Sequence, residues 1–253
     1  MSSTDLHRSF AALHVPGDPL ILFNIWDAGS ARAVAAAGAK AIATGSASVG
    51  AAQGFGDAED LPIELALANA ALIVEAVDLP VTIDFEGAYA IDAGGVAANM
   101  KRLAATGAIG CNLEDQVVGG EGLYAIEAQA ARIRAARDAV GADFFINART
   151  DIFLQSRSED HDAAKVDAAI ERARAYAGAG ASGFFAPGLA DLALLERLCA
   201  EAPLPVNFMA WPGSPTAAEV AAVGIARVSH GPFPHKAAMK ALGDAARTAF
   251  GGA

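Results

Sequence analysis

The sequence predicts an α/β protein of the (β/α)8 TIM-barrel class. A single domain is expected across residues 1–253, with a short helical segment before the first strand and one helix after the last. Three observations lead there. Eight short apolar runs alternate with alanine-rich stretches of helical periodicity. The alternation never lapses for long enough to mark a linker. Eight βα units in 253 residues also match the size of such a barrel, whereas a doubly wound sheet usually has fewer strands.

In chain order the strand candidates are LILFNIW (20–26), AIATGSA (41–47), PVTIDFE (80–86), IGCNLED (109–115), FFINART (144–150), GFFAPG (183–188), PVNFMA (205–210) and ARVSHG (226–231). Between them, SARAVAAAG (30–38), ELALANAALIVEAV (64–77), AIEAQAARIRAARDAV (125–140) and KVDAAIERARAYAGAG (165–180) repeat apolar residues at helical spacing, and glycine often follows the last turn. One helix is expected per strand. The first run leads into NIWDAGSARAV without G-x-G-x-x-G, and no G-x-x-x-x-G-K-[ST] occurs, so a nucleotide cradle finds no support. GGEGLY (119–124) is expected to form a flexible flap.

A formal net charge of −11 opposes nucleic acid and acidic membrane surfaces, so an anionic substrate would need a local cation. The alanine-rich helices are broken by Arg, Asp and Glu, and no stretch supplies the ~18 apolar residues of a membrane span. Two distant cysteines, Cys111 and Cys199, and no apolar signal segment near the start predict a reducing, cytoplasmic setting without disulfides.

Catalytic groups of such barrels come from the C-terminal ends of strands, and side chains alternate along a strand. Asp84 and Glu86 therefore share the inner face with Thr82, while Val81, Ile83 and Phe85 face the helices. Asn112 and Glu114 pair in the same way on the next strand, as do Asn147 and Arg149 on the one after, with Asp151 continuing that face if the strand extends. Crowded carboxylates repel unless they share protons or a cation, and hard oxygen donors suit Mg2+ or Mn2+. Arg149 cannot ligate a metal, but its planar fork matches a substrate carboxylate. The expected ligand is a small acid anion chelated by metal.

Other polar residues read as structural. Asp115, on the outward face, is expected to hold structure, Cys111 to fill core and Cys199 to pack a helix. His230, near the end of the last strand, is read equally as a proton donor or a structural histidine. His14, His161 and His235 have no metal-ligand spacing, and Asn207 and Trp211 are expected to pack rather than line the mouth.

TGSASVGAAQGFGD (44–57), DFEGAY (84–89), CNLEDQ (111–116) and INARTD (146–151) together resemble the isocitrate lyase/phosphoenolpyruvate mutase superfamily over roughly residues 20–235. The resemblance implies that Gly45 and Ser46 hold a substrate carboxylate through backbone donors and that Asp57 is an active-site aspartate. It implies Asp84 as the direct metal ligand, Glu86 and Glu114 as ligands through water, and Arg149 as the substrate-binding arginine. The substrate-binding set is then Gly45, Ser46, Asp84, Asn112 and Arg149, and the catalytic set Asp57, Glu114 and Arg149. Members make or break C–C or C–P bonds beside a 2-oxo acid or its enolate, with Mg2+ on the enolate oxygen. Many exchange their eighth helix between subunits, so a homo-oligomer, dimer or tetramer, is expected.

This chain departs from the pattern. The lyases follow EDQ with K-[KR]-C-G-H, whose cysteine protonates the enolate, and the mutases and hydrolases carry a lysine there; here EDQ leads into VVGGEGLYAIEAQ. The metal stretch reads G-A-Y-A where relatives more often have a small residue followed by Gly-Tyr-Gly. The expected function is a Mg2+-dependent lyase cleaving a C–C bond in a small 2-hydroxy or 2-oxo dicarboxylate, by retro-aldol cleavage or decarboxylation, with solvent, Tyr124 or Glu121 as proton source. Mutase or phosphonopyruvate hydrolase chemistry, and a non-catalytic 2-oxo acid binder, stay open as alternatives.

Overall fold

The computed structural model describes residues 3–251. Eight parallel strands, β1 (Leu20–Leu22), β2 (Ile42–Ala43), β3 (Val81–Asp84), β4 (Gly110–Glu114), β5 (Phe145–Arg149), β6 (Gly183–Phe185), β7 (Val206–Met209) and β8 (Arg227–Ser229), are hydrogen-bonded in the order β1-β8-β7-β6-β5-β4-β3-β2. Just past β1 and β2, Ile25 and Thr44 form a parallel bridge, and the Ile25 N–H donates to the Ala43 carbonyl at 2.8 Å. That bridge joins the two ends of the order into a barrel, which removes the exposed edges an open sheet would present. The strands are shorter than the apolar runs suggested. The polar ends of those runs leave the sheet and become the loops of the site.

The helices are α1 (Ser3–Ala12), α2 (Ala28–Ala36), α3 (Ser46–Ala52), α4 (Ile63–Ala76), α5 (Ala93–Ala105), α6 (Ile126–Val140), α7 (Ala163–Gly178), α8 (Leu192–Glu201), α9 (Ala217–Ala222) and α10 (Phe233–Ala249). One helix per strand holds except after β2, where α3 precedes α4. Side chains of Asp27, Asp92, Asp162, Asp191 and Thr216 accept a first-turn N–H of α2, α5, α7, α8 and α9, each cap contributing about 1 kcal/mol.

Two apolar layers follow from strand alternation. Ile83, Phe85, Cys111, Leu113, Ile146 and Ala148 point outwards and pack with Ile73, Met100, Ile133 and Ile170 of the helices. Cys111 is thus core, its sulfur 3.9 Å from that of Met100, and both cysteines are free. Inside the barrel, Leu20, Leu22, Ala41, Ala43, Ile109 and Phe145 surround Phe10 of α1. The Phe10 ring meets Phe145 edge-on at 5.2 Å and His14 stacks on Phe145 at 4.1 Å. Burial first, and nearby Arg227 second, pull His14 down to about 3, so the plug is neutral. With α1 closing one end, the C-terminal end of the barrel is left for chemistry. Among the described residues no helix is long and apolar enough to cross a membrane.

Candidate active site

Register places the polar residues side by side: Asp84 is level with Asn112, Asn112 with Asn147, and Glu114 with Arg149. The inward alternation expected for Asp84, Asn112, Glu114, Asn147 and Arg149 is observed. A cavity of about 200 Å3 at the C-terminal end is lined by Gly45, Ser46, Asp57, Asp84, Asn112 and Arg149 together with the apolar Leu154, Phe185, Pro187, Met209 and Pro232. Asn24 also borders it. Its Oδ1 accepts the N–H groups of His230 and Gly231 at 2.7 and 3.0 Å while its Nδ2 donates to the Thr44 carbonyl at 2.7 Å. The sign of that staple in the sequence was an inward-parity asparagine in an otherwise apolar run.

Asp84 is held on both oxygens. Oδ2 accepts the Ser46 N–H and hydroxyl, each at 3.0 Å, and Oδ1 accepts Asn112 Nδ2 at 3.0 Å. Asn112 is oriented in turn, because its Oδ1 accepts Asn147 Nδ2 at 2.9 Å. Ser46 opens α3 and does not lie on a strand end. Its backbone donor is already taken by Asp84, and the Gly45 N–H by the Ile25 carbonyl at 3.3 Å. Neither of the donors expected for a substrate carboxylate is free here. Asp57 stands 3.3 Å from the Ser46 hydroxyl.

Glu86 reaches the site by a different route from the one alternation suggested. β3 stops at Asp84, and Glu86, Ala88 and Tyr89 take the left-handed conformation, with φ of 50°, 61° and 53°. A side chain costs roughly 1–2 kcal/mol per residue in that conformation, a cost that glycine at position 88 would avoid. The turn buries Glu86, whose Oε1 accepts the Glu59 N–H at 3.0 Å. With Asp84 it lines a narrow space adjoining the main cavity. Burial first, then Asp84, Asp57 and Glu59, push Glu86 up to about 8.

Arg149 is gripped from two sides. Its Nη1 lies 2.8 Å from Glu114 Oε2, and its Nε and Nη2 donate to the two oxygens of Asp151 at 2.5 and 2.8 Å. Burial opposes its charge, but Glu114, Asp151 and Asp84 together push it above the ordinary arginine range. Burial raises Glu114 well above the usual carboxylate range, against the pull of Arg149. Asp151 is fixed by Asp115, which accepts the Asp151 N–H at 3.0 Å, Arg172 at 3.0 Å and the Tyr176 hydroxyl at 2.8 Å. Asp115 is structural, as expected.

Other candidates lie elsewhere. Asn147 and Asn207 are buried beneath the cavity and bonded to each other at 3.2 Å. His230 faces outwards, its Nδ1 3.0 Å from the Leu22 carbonyl and its ring beside Phe23, because Ser229 takes the inward position. Trp211 stacks on Phe208 outside the barrel. Tyr124 lies under Arg132, its ring 4.3 Å from the guanidinium carbon, in a separate cavity, and Glu121 is exposed. Neither flap residue expected as a proton source lines the main cavity.

The donor set suits a hard divalent cation. Asp84 raises the cost of charging Glu86, and Asp84 and Glu86 raise that of charging Glu114, a cost that a cation would relieve. Among the described residues no three acidic, histidine or cysteine side chains meet as direct ligands of one ion. Metal-free, the raised Glu86 makes stability depend on pH. The unfolded chain gives up this proton near 4.5 and the folded chain near 8, so stability falls as pH rises through that window. His14 acts oppositely between about 3 and 6.5. Urea midpoints should therefore decline most clearly from about pH 6.5 to 8, and Glu86→Gln should flatten that decline.

The profile of the family described as phosphoenolpyruvate phosphomutase matches residues 10–250. The chain belongs to this family. Within the wider isocitrate lyase/phosphoenolpyruvate mutase superfamily it is similar to a Burkholderia cenocepacia J2315 protein provisionally named a phosphonomutase, with 49% identity, a TM-score of 0.94, and 99% of this chain and 100% of that one covered. Escherichia coli 2-methylisocitrate lyase is 29% identical over 208 residues, 79% of this chain and 68% of the lyase. The structure of 2,3-dimethylmalate lyase, a superfamily member, gives 25% identity and a TM-score of 0.83 over 97% of this chain and 86% of that one. The superfamily thus holds lyases and mutases of small carboxylates on this barrel.

Proposed function

We propose that this chain is a divalent-metal-dependent lyase that cleaves a C–C bond in a small 2-hydroxy or 2-oxo dicarboxylate. The observation that carries the reading is Asp84, oriented on both oxygens and lining, with Arg149, a cavity whose wall also includes apolar residues. Asp84 would hold Mg2+ or Mn2+ directly, with Glu86 and Glu114 reaching it through water. When bound, the ion supplies a Lewis acid for the oxygen on which charge grows as the bond breaks.

The chain's own residues do the rest. Of the five N–H donors of Arg149, three go to Glu114 and Asp151, which leaves two for a substrate carboxylate. Asp57 borders the cavity as a base for a substrate hydroxyl, which retro-aldol cleavage needs and decarboxylation does not. Leu154, Phe185 and Met209 give the cavity its apolar wall. The test is Mg2+-dependent release of a 2-oxo acid from oxaloacetate and substituted malates, with phosphonopyruvate in the same panel. Turnover of phosphonopyruvate alone would replace this reading with C–P chemistry, which the similarity to the Burkholderia protein supports. A second reading, a 2-oxo acid binder without turnover, is favoured by the flap residues lying outside the cavity. Calorimetry showing tight Mg2+-linked binding beside no turnover would select it.

The oligomer belongs to the same proposal. Along the 17 residues of α10 only Pro234 is buried, and Met239 and Leu242 are exposed, as are Ile21 and Phe23 on the outer face of the first strand run. A second copy exchanging α10 would cover both. Light scattering should give twice the chain mass, and removal of residues 236–253 should give the single mass; an unchanged dimer would contradict the exchange.

A further inference from the structure

The turn that carries Glu86 is held by side chains that the reaction does not use. Three of its residues are left-handed without being glycine, and such strain persists only where the surroundings over-determine it. The five carbonyls from Gly87 to Ile91 are each taken by a side chain. Arg132 donates to Gly87 at 2.7 Å and to Ala90 and Ile91 at 2.6 Å, and Asn99 donates to Ala88 at 2.9 Å and Tyr89 at 3.2 Å. From the opposite side Glu59 closes a reciprocal pair: its N–H donates to Glu86 Oε1 at 3.0 Å, and its own Oε1 accepts the Tyr89 N–H at 2.7 Å.

Arg132 is 2% exposed, and these bonds go to neutral carbonyls and to Gln129, not to a carboxylate. A buried guanidinium spent on loop carbonyls is costly, so packing alone is a poor account of it. Its Nε ties the same turn to the neighbouring strand end. Nε donates to Gln129 Oε1 at 2.9 Å, and Gln129 Nε2 donates to the Glu114 carbonyl at 2.9 Å. One guanidinium thus registers the Glu86 turn against the backbone of Glu114, while Glu59 registers it against the loop that carries Asp57.

We propose that Glu59 and Arg132 are positioning residues that latch the left-handed turn from opposite sides and so fix the Glu86 carboxylate relative to Asp84 and Glu114. The proposal rests on the metal reading above. Partners of this kind behind metal ligands change affinity by about 10–100-fold when removed.

The test is a Mn2+ titration of the full chain by electron paramagnetic resonance, with melting recorded for each variant. Wild type should bind Mn2+, and Glu59→Ala should bind at least about tenfold more weakly while remaining folded. Glu59→Gln, which keeps an acceptor for the Tyr89 N–H, should recover part of the loss. Arg132→Lys, which keeps the charge and loses the fork, should weaken binding as well; if it does not fold, the two Glu59 variants decide. Folded Glu59→Ala and Glu59→Gln with wild-type Mn2+ affinity would overturn the latch and leave the metal reading standing. Wild type that binds no Mn2+ would overturn the metal reading, and the latch with it.

Discussion

Arg149→Leu should destabilise the protein by about 3–5 kcal/mol at pH 7, because it strands two buried carboxylates at once. Glu114 and Asp151 have side chains 5% and 1% exposed, and their ion pairs with Arg149 are the ones described above. The loss should shrink in acid, since burial already raises Glu114 and a proton there removes the unpaired charge. Arg149→Lys should lie between, with the point charge kept and the two-oxygen grip on Asp151 lost. Urea denaturation at pH 7 and pH 5 reads all of this. An Arg149→Leu midpoint equal to that of wild type would mean that the pairs contribute nothing. Turnover should fall in both variants by roughly 10²–10³-fold, the usual size for removing an oriented donor from a substrate's charged group.

Asp84→Ala should have the larger effect on chemistry and the smaller on stability. Without the direct ligand, turnover should drop by roughly 10³-fold or more, about 4 kcal/mol of lost transition-state stabilisation. The fold should survive. Substitution leaves the Ser46 and Asn112 donors unpaired at the cavity wall, but it also removes a charge that helps to push Glu86 up. These two terms oppose one another, so the melting temperature should move by a few degrees only, and Glu86 should titrate closer to the ordinary carboxylate range. A collapse of the fold would show that Asp84 is held for structure.

Much of this site could be read along the chain because alternation in a strand is a local rule. Once eight strands were recognised, Asp84, Asn112, Glu114, Asn147 and Arg149 were directed inwards by parity, and the register bears this out. His230 fell outside by the same rule, one residue past Ser229. What parity could not supply were contacts made across the fold. Glu86 is placed by a left-handed turn, not by its strand, and the side chains that hold the turn come from 41 to 45 residues away in Arg132 and 30 in Glu59. Ser46 was expected to offer its backbone donor to a substrate, yet it begins a helix and gives that donor to Asp84. Asp151 was expected on that face only if the strand extended; β5 ends at Arg149, and Asp151 beyond it grips Arg149 with both oxygens. Buried Arg227, with two guanidinium nitrogens unpartnered inside the barrel, had no signal in its run beyond an inward position.

In the proposed reaction a divalent ion on Asp84 joins this chain to a small acid. Thermal melting of wild type and Asp84→Ala with a panel of 2-oxo and 2-hydroxy acids, each with and without Mg2+, tests it most directly, because a ligand of the native state alone raises the midpoint by mass action. At least one acid should raise the wild-type midpoint only when Mg2+ is present, and the rise should vanish in Asp84→Ala. An acid that stabilises both proteins equally, or stabilises wild type equally without Mg2+, would contradict the account.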